Sequence, residues 1–112
     1  MAGSGIKSST QLTAASITNY SLLYTVPSNY YGVYNISFTN TTSSNINIRL
    51  VIGTSTTSSV NASEIFEYQT TVVPYGVFER TGIVVTAGLN IIASSTGSAV
   101  NVNVYGIETS IS

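Results

Sequence analysis

Residues 72–108, VVPYGVFERTGIVVTAGLNIIASSTGSAVNVNVYGIE, decide the fold class, because the apolar strand-like runs they contain are separated by turn signals. Pro74 presets a bend and Gly76 tolerates positive φ, so residues 72–76 turn. Residues 77–85 follow as a strand interrupted at Gly82, where a bulge or a close backbone approach is expected. Thr86-Ala87-Gly88 turns into a run over 89–94, and Ser95-Thr96-Gly97-Ser98 turns into the last run, 99–107. There Val100, Val102 and Val104 fall on one face and Asn101, Asn103 and Tyr105 on the other, the period of two that marks a half-buried strand.

The pattern extends upstream. Residues 20–26 place Leu22, Tyr24 and Val26 on one face and stop at Pro27-Ser28-Asn29. Residues 30–40 put Tyr34, Ile36 and Phe38 inward and Val33, Asn35, Ser37 and Thr39 outward. Residues 45–52 carry the clearest alternation, with Ile46, Ile48, Leu50 and Ile52 inward and Asn45, Asn47 and Arg49 outward. Residues 60–68 allow two readings: Asn61 followed by Glu64 resembles a helix-capping pair, while the aromatic and β-branched residues of 65–70 favour a short strand. The strand is preferred. About eight short strands with frequent turn signals and no convincing helix predict an all-β fold, a single antiparallel β-sandwich of jelly-roll-like type. Residues 1–16 hold too few apolar positions to bury themselves and read as an extended N-terminal arm, with a weak helical hint at Ala14 and Ala15; residues 17–112 are the sandwich domain.

Composition points the same way. Of the 112 residues 43% are hydrophobic but only 6% are charged, far below the roughly 25% of ordinary globular chains. Ser, Thr and Asn take the place of charge and keep the outer strand faces wet. A net charge of −1 offers no field to draw in nucleic acid or anionic lipid, so neither is expected as a partner. Such weak charge protection implies use inside an assembly. No run reaches the roughly 20 apolar residues that span a bilayer. The N-terminus lacks the apolar core of a signal peptide, and a protein made in a cytoplasm is expected.

Chemistry is scarce. His, Asp, Cys and Trp are all absent, which removes hydrolytic triads, zinc sites, calcium loops and disulfides together. No catalytic residue, cofactor or metal is expected. Glu64, Glu67 and Glu79 could in principle supply a two-carboxylate glycosidase pair, but pairing with Arg49 and Arg80 or plain solvation explains them better. Lys7 has no evident acidic companion. The Asn-x-Ser/Thr triplets at Asn19, Asn35, Asn40 and Asn61 follow from composition. Tyrosine is in excess, with eight residues, and Tyr30-Tyr31 stands at a turn from which rings could project into a contact surface.

The phrases Ile65-Phe66-Glu67-Tyr68, Val73-Pro74-Tyr75-Gly76-Val77-Phe78-Glu79-Arg80-Thr81-Gly82-Ile83-Val84-Val85, Ala87-Gly88 and Val102-Asn103-Val104-Tyr105-Gly106-Ile107-Glu108, after a Tyr24-Thr25-Val26-Pro27 opening, resemble small virion proteins of tailed bacteriophages, those of cyanobacteria and other aquatic bacteria in particular. The resemblance covers residues 17–108. It implies a compact β-sandwich without an active site, used in many copies. Such proteins are capsid decoration or cement proteins that bind the major capsid protein, commonly as trimers and often with a terminal arm, or small β-domains of tail and fibre components. The expected place is the capsid exterior of a virion assembled in a bacterial cytoplasm. The candidate interface is then Ile6 and Leu12 in the arm, Tyr30 and Tyr31 at the turn, and Glu79 and Arg80. The alternative is a tail- or fibre-associated module that binds host surface glycans through Tyr30, Tyr31 and nearby Asn side chains.

Overall fold

Alternation between apolar and hydroxyl or amide side chains lets each segment bury one face and wet the other, and two such sheets stacked face to face satisfy all of them. The computed structural model describes residues 3–13 and 16–111. Ala14 and Ala15, with their helical hint, lie outside the described residues, as do Met1, Ala2 and Ser112. Eight strands form among the described residues: β1 (Gly3–Leu12), β2 (Ser21–Thr25), β3 (Tyr30–Asn40), β4 (Ile46–Gly53), β5 (Ile65–Val72), β6 (Val77–Val85), β7 (Asn90–Ser95) and β8 (Val100–Ser110). The ambiguous segment before β5 holds both elements suggested for it. A 3-10 turn, Ala62–Glu64, is capped by the Asn61 side chain accepting from Ser63 N–H, and the strand follows directly.

The strands make two four-stranded antiparallel sheets, ordered β1-β8-β3-β6 and β2-β7-β4-β5. Strand β1 pairs with β8, β2 with β7, β3 with β6 and β4 with β5. These are the ladders of one long antiparallel ribbon rolled up so that its turns divide between two layers, closed by the further ladders β3–β8 and β4–β7. Residues 3–12, expected as an arm apart from the domain, are extended but lie along β8 as an edge strand of the first sheet. Leu12 explains why: it is 2% exposed and belongs to the core.

That core is the inner faces of both sheets: Tyr34, Ile36 and Phe38 of β3, Ile46, Ile48, Leu50 and Ile52 of β4, Ile91 and Ala93 of β7, and Val100, Val102 and Val104 of β8. The inward sets read from sequence for β3, β4 and β8 are all buried. Strand β2 departs from the expected alternation. Leu22 is exposed and Leu23 is buried, because a bulge at Leu23 shifts the register against β7 and breaks the alternation.

Every register shift in the two sheets places its extra residue on an edge strand: Lys7 on β1, Leu23 on β2, the Tyr68-Gln69 pair and Phe66 on β5, and the Thr81-Gly82 pair on β6. The expected irregularity at Gly82 is therefore present; its φ is +69° and its N–H donates to the Asn35 side chain at 3.0 Å. Three edge strands also turn a charged side chain inward or across the gap: Lys7, Glu67 and Arg80. Bulges and inward charges are the devices that keep a sheet edge from pairing with another chain.

The 73–76 turn is closed by Gly76 N–H donating to the Val73 carbonyl at 2.9 Å. Its positive φ falls on Tyr75, at +56°, and not on Gly76 as expected. Buried Asn40 holds this turn in place. Its amide donates to the Ser44, Val72 and Val73 carbonyls, and its side-chain oxygen accepts from the Thr42 N–H and hydroxyl.

Candidate functional site

The two long sides of the sandwich are closed by different ionic groups. On the β1/β2 side, the bulge at Lys7 brings its ammonium to 3.5 Å from Glu108 of β8. Lys7 thus has the acidic companion that its sequence surroundings do not show. The Glu108 carboxylate also accepts from the hydroxyls of Tyr24 and, at 2.8 Å, of Tyr34. Burial by itself pushes the Glu108 carboxyl up. The two phenol donors and the Lys7 ammonium outweigh it and hold the carboxyl below its ordinary range. The same contacts act oppositely on the phenols: burial, then Glu108, pushes Tyr24 up to about 12, and Tyr34 is pushed up by the same causes with Tyr24 added. On the β5/β6 side, Arg80 pairs with Glu67, which also accepts from the Thr70 hydroxyl at 2.6 Å.

The outer face of the first sheet carries two groups of exposed apolar side chains. Antiparallel register aligns Val84, Val33 and Ile107 in a row across β6, β3 and β8, and all three are exposed. At the other end of the same face lie exposed Val77 at the start of β6 and, in the adjoining turn, Val73 and Tyr75, the last 70% exposed. Six residue-to-residue steps along β3, from Val33 to Thr39, separate the two ends, about 20 Å at the usual rise per residue. The band between them is polar, and among the described residues Glu79 is its one charged side chain. It carries Asn35, Ser37, Asn101 and Asn103, with the Tyr105 hydroxyl donating to Glu79. Beside it, Ser9, Thr10, Gln11, Asn101 and Asn103 line a shallow groove of about 270 Å³, where the Ser9 hydroxyl donates to Asn103 at 2.8 Å.

On the outer face of the second sheet, Arg49 of β4 donates to the Tyr20 hydroxyl at 3.0 Å and the Tyr68 hydroxyl at 3.2 Å. Its guanidinium lies 4.4 Å from the centre of the Tyr68 ring. Among the described residues no carboxylate pairs with it. Glu64, at the end of the 3-10 turn, accepts from the backbone N–H and hydroxyl groups of both Thr54 and Ser55. These bonds, that from the Ser55 hydroxyl first, lower its carboxyl to about 2. A Cβ at Gly53 would run into this carboxylate, so the clasp requires glycine there.

The residues expected at an interface are not gathered into one place. Ile6 stands on the outer face of β1, 71% exposed and opposite Tyr105. Leu12 is in the core and offers no surface. Tyr30 packs partly buried against the core, while the next residue, Tyr31, is exposed. Glu79 and Arg80 also diverge: Glu79 is exposed toward Tyr105, and Arg80 reaches across to Glu67. Each of Glu64, Glu67 and Glu79 has a hydrogen-bonding neighbour of its own. The row Val84-Val33-Ile107 and the Arg49 nook are absent from the sequence reading. The row had one visible signal, three apolar residues at outward positions; the nook had none, since Tyr20 precedes β2 and only folding brings it to Arg49. Among the described residues no group of three or more His, Cys, Asp or Glu could hold a metal ion, and no helix is long and apolar enough to cross a membrane. No protein-family model matches the chain, and no curated protein matches it.

Proposed function

We propose that this chain is a capsid decoration, or cement, protein of a tailed bacteriophage, binding two neighbouring subunits of the major capsid protein with the outer face of its first sheet. The observation that carries this reading is the pair of apolar patches, Val84-Val33-Ile107 and Val73-Tyr75-Val77, at opposite ends of that face. Exposed apolar surface gains free energy when a partner covers it, and two separated patches allow one molecule to tie two partners together. Tyr75 is the natural anchor, since its turn is held by the Asn40 bonds and loses little freedom on docking. Face docking also suits the blunted edges, which oppose attachment by strand addition. On this reading the rolled ribbon is a jelly roll, an architecture used in viral capsid and lectin domains, and the molecule acts as a homotrimer on the shell.

The test is binding to shells assembled from the major capsid protein, read by co-sedimentation and electron microscopy. Val84→Asp with Ile107→Asp should lose attachment, and Tyr75→Asp with Val77→Asp should do the same, each with an unchanged melting transition. Full occupancy by both double variants would sink the proposal. A second reading, a tail- or fibre-associated module for host glycans, is favoured by the hydroxyl and amide groove of Ser9, Gln11, Asn101 and Asn103. Bare shells together with a glycan-array signal lost on Asn101→Ala and Asn103→Ala would replace the first reading by the second.

A further inference from the structure

Three cations are present in the chain, and two are used internally: Lys7 with Glu108 and Arg80 with Glu67. Arg49 is different. Its guanidinium is held by two phenol oxygens, which accept its protons and neutralise none of its charge. Each phenol that accepts from Arg49 keeps its own O–H proton, and among the described residues neither Tyr20 nor Tyr68 spends that proton on an acceptor. Two of the four Nη protons are likewise uncommitted. The Arg49 Nε–H is enclosed without any partner, a deficit that native folds seldom carry without a use. The nook is thus a positive charge with convergent O–H and N–H donors and nothing of its own to receive them.

We propose that Arg49, Tyr20 and Tyr68 form a binding site for a carboxylate, on the sheet opposite the docking face. A carboxylate is planar and matches the fork of a guanidinium, with two oxygens to accept from the Nη groups and the phenols. The nook is preorganised, because stacking on the Tyr68 ring and the two phenol bonds already fix the guanidinium. Tyr68 is exposed on β5, so its ring offers an apolar face beside the charge. The carboxylate could come from an acidic sugar or from a simple organic acid. The site stands apart from the docking face, and failure of either proposal leaves the other intact.

The experiment is NMR titration of the whole protein with glucuronate, with propionate and with glucose. Shifts confined to residues around Arg49 are expected with a carboxylate and not with glucose. Glucuronate binding more tightly than propionate identifies an acidic sugar as the source; equal binding identifies the carboxylate alone. Arg49→Gln should weaken binding about tenfold or more, the scale of one lost charge-assisted bond pair. Tyr68→Phe, which keeps the ring and removes the hydroxyl, gives a second reading on a fold that is disturbed less. No shift with either acid, equal binding of glucose, or unchanged affinity in both variants would overturn the assignment.

Discussion

The two long sides of the sandwich solve one problem in two environments. Each must close the gap between the two sheets along their edge strands. The β1/β2 side does so with Lys7 and Glu108, whose side chains are 16% and 9% exposed, and surrounds the carboxylate with two tyrosine hydroxyls. The β5/β6 side uses Arg80 and Glu67, with Arg80 39% exposed. Water can therefore screen and replace the second pair, whereas Glu108 has no comparable substitute for its partners. The difference teaches that an ion pair in this fold is worth what its surroundings deny it, and that the polar core lies on the N-terminal side.

The largest effect should come from Glu108→Ala. It strands Lys7, the buried Tyr34 phenol and the partly buried Tyr24 phenol at once, and removal of one member of a buried ionic network costs about 3–5 kcal/mol, read as a lower midpoint in urea unfolding. A loss below that of Arg80→Ala would erase the asymmetry. An intermediate effect lies in pH dependence. The Glu108 carboxyl is lowered in the folded state, so its contribution is present above the ordinary carboxylate range and is lost as pH falls through the folded value. Tyr24 is raised to about 12, so its contribution is complete below the ordinary phenol value of about 10 and is lost as pH rises toward 12. Unfolding free energies measured across both limbs should change less steeply in Glu108→Gln than in the parent, with the acid slope from Glu64 and the alkaline slope from burial of the phenols remaining. The smallest effect belongs to Arg80→Ala, at most about 1 kcal/mol and shrinking with added salt. A salt-independent loss there would show that the β5/β6 pair is shielded like its counterpart.

What the sequence makes legible follows the same division between inside and edge. Strands β3, β4 and β8 lie inside their sheets with partners on both sides, and their alternation can be read residue by residue from Tyr34 to Phe38, Ile46 to Ile52 and Val100 to Val104. Edge strands carry the bulges, and one inserted residue reverses the phase of everything beyond it. That is why Leu22 reads as inward when Leu23 is, and why the segment around Lys7, sparse in apolar residues, does not read as a strand at all. The surface groups fare worst. Lys7 and Glu108 are 101 residues apart in sequence, and Tyr20 and Arg49 are 29 apart, so no local pattern links either pair.

The placement of every bulge on an edge strand has one more consequence. A nearly neutral protein has little long-range repulsion to keep its copies apart, and flat open edges would turn that into fibre growth. With its edges kinked and Lys7, Glu67 and Arg80 drawn into ion pairs, this molecule opposes fusion of its sheet edges by shape. Many can therefore crowd side by side at high local density without repelling one another and without fusing their sheets. Such crowding should change little as ionic strength is varied.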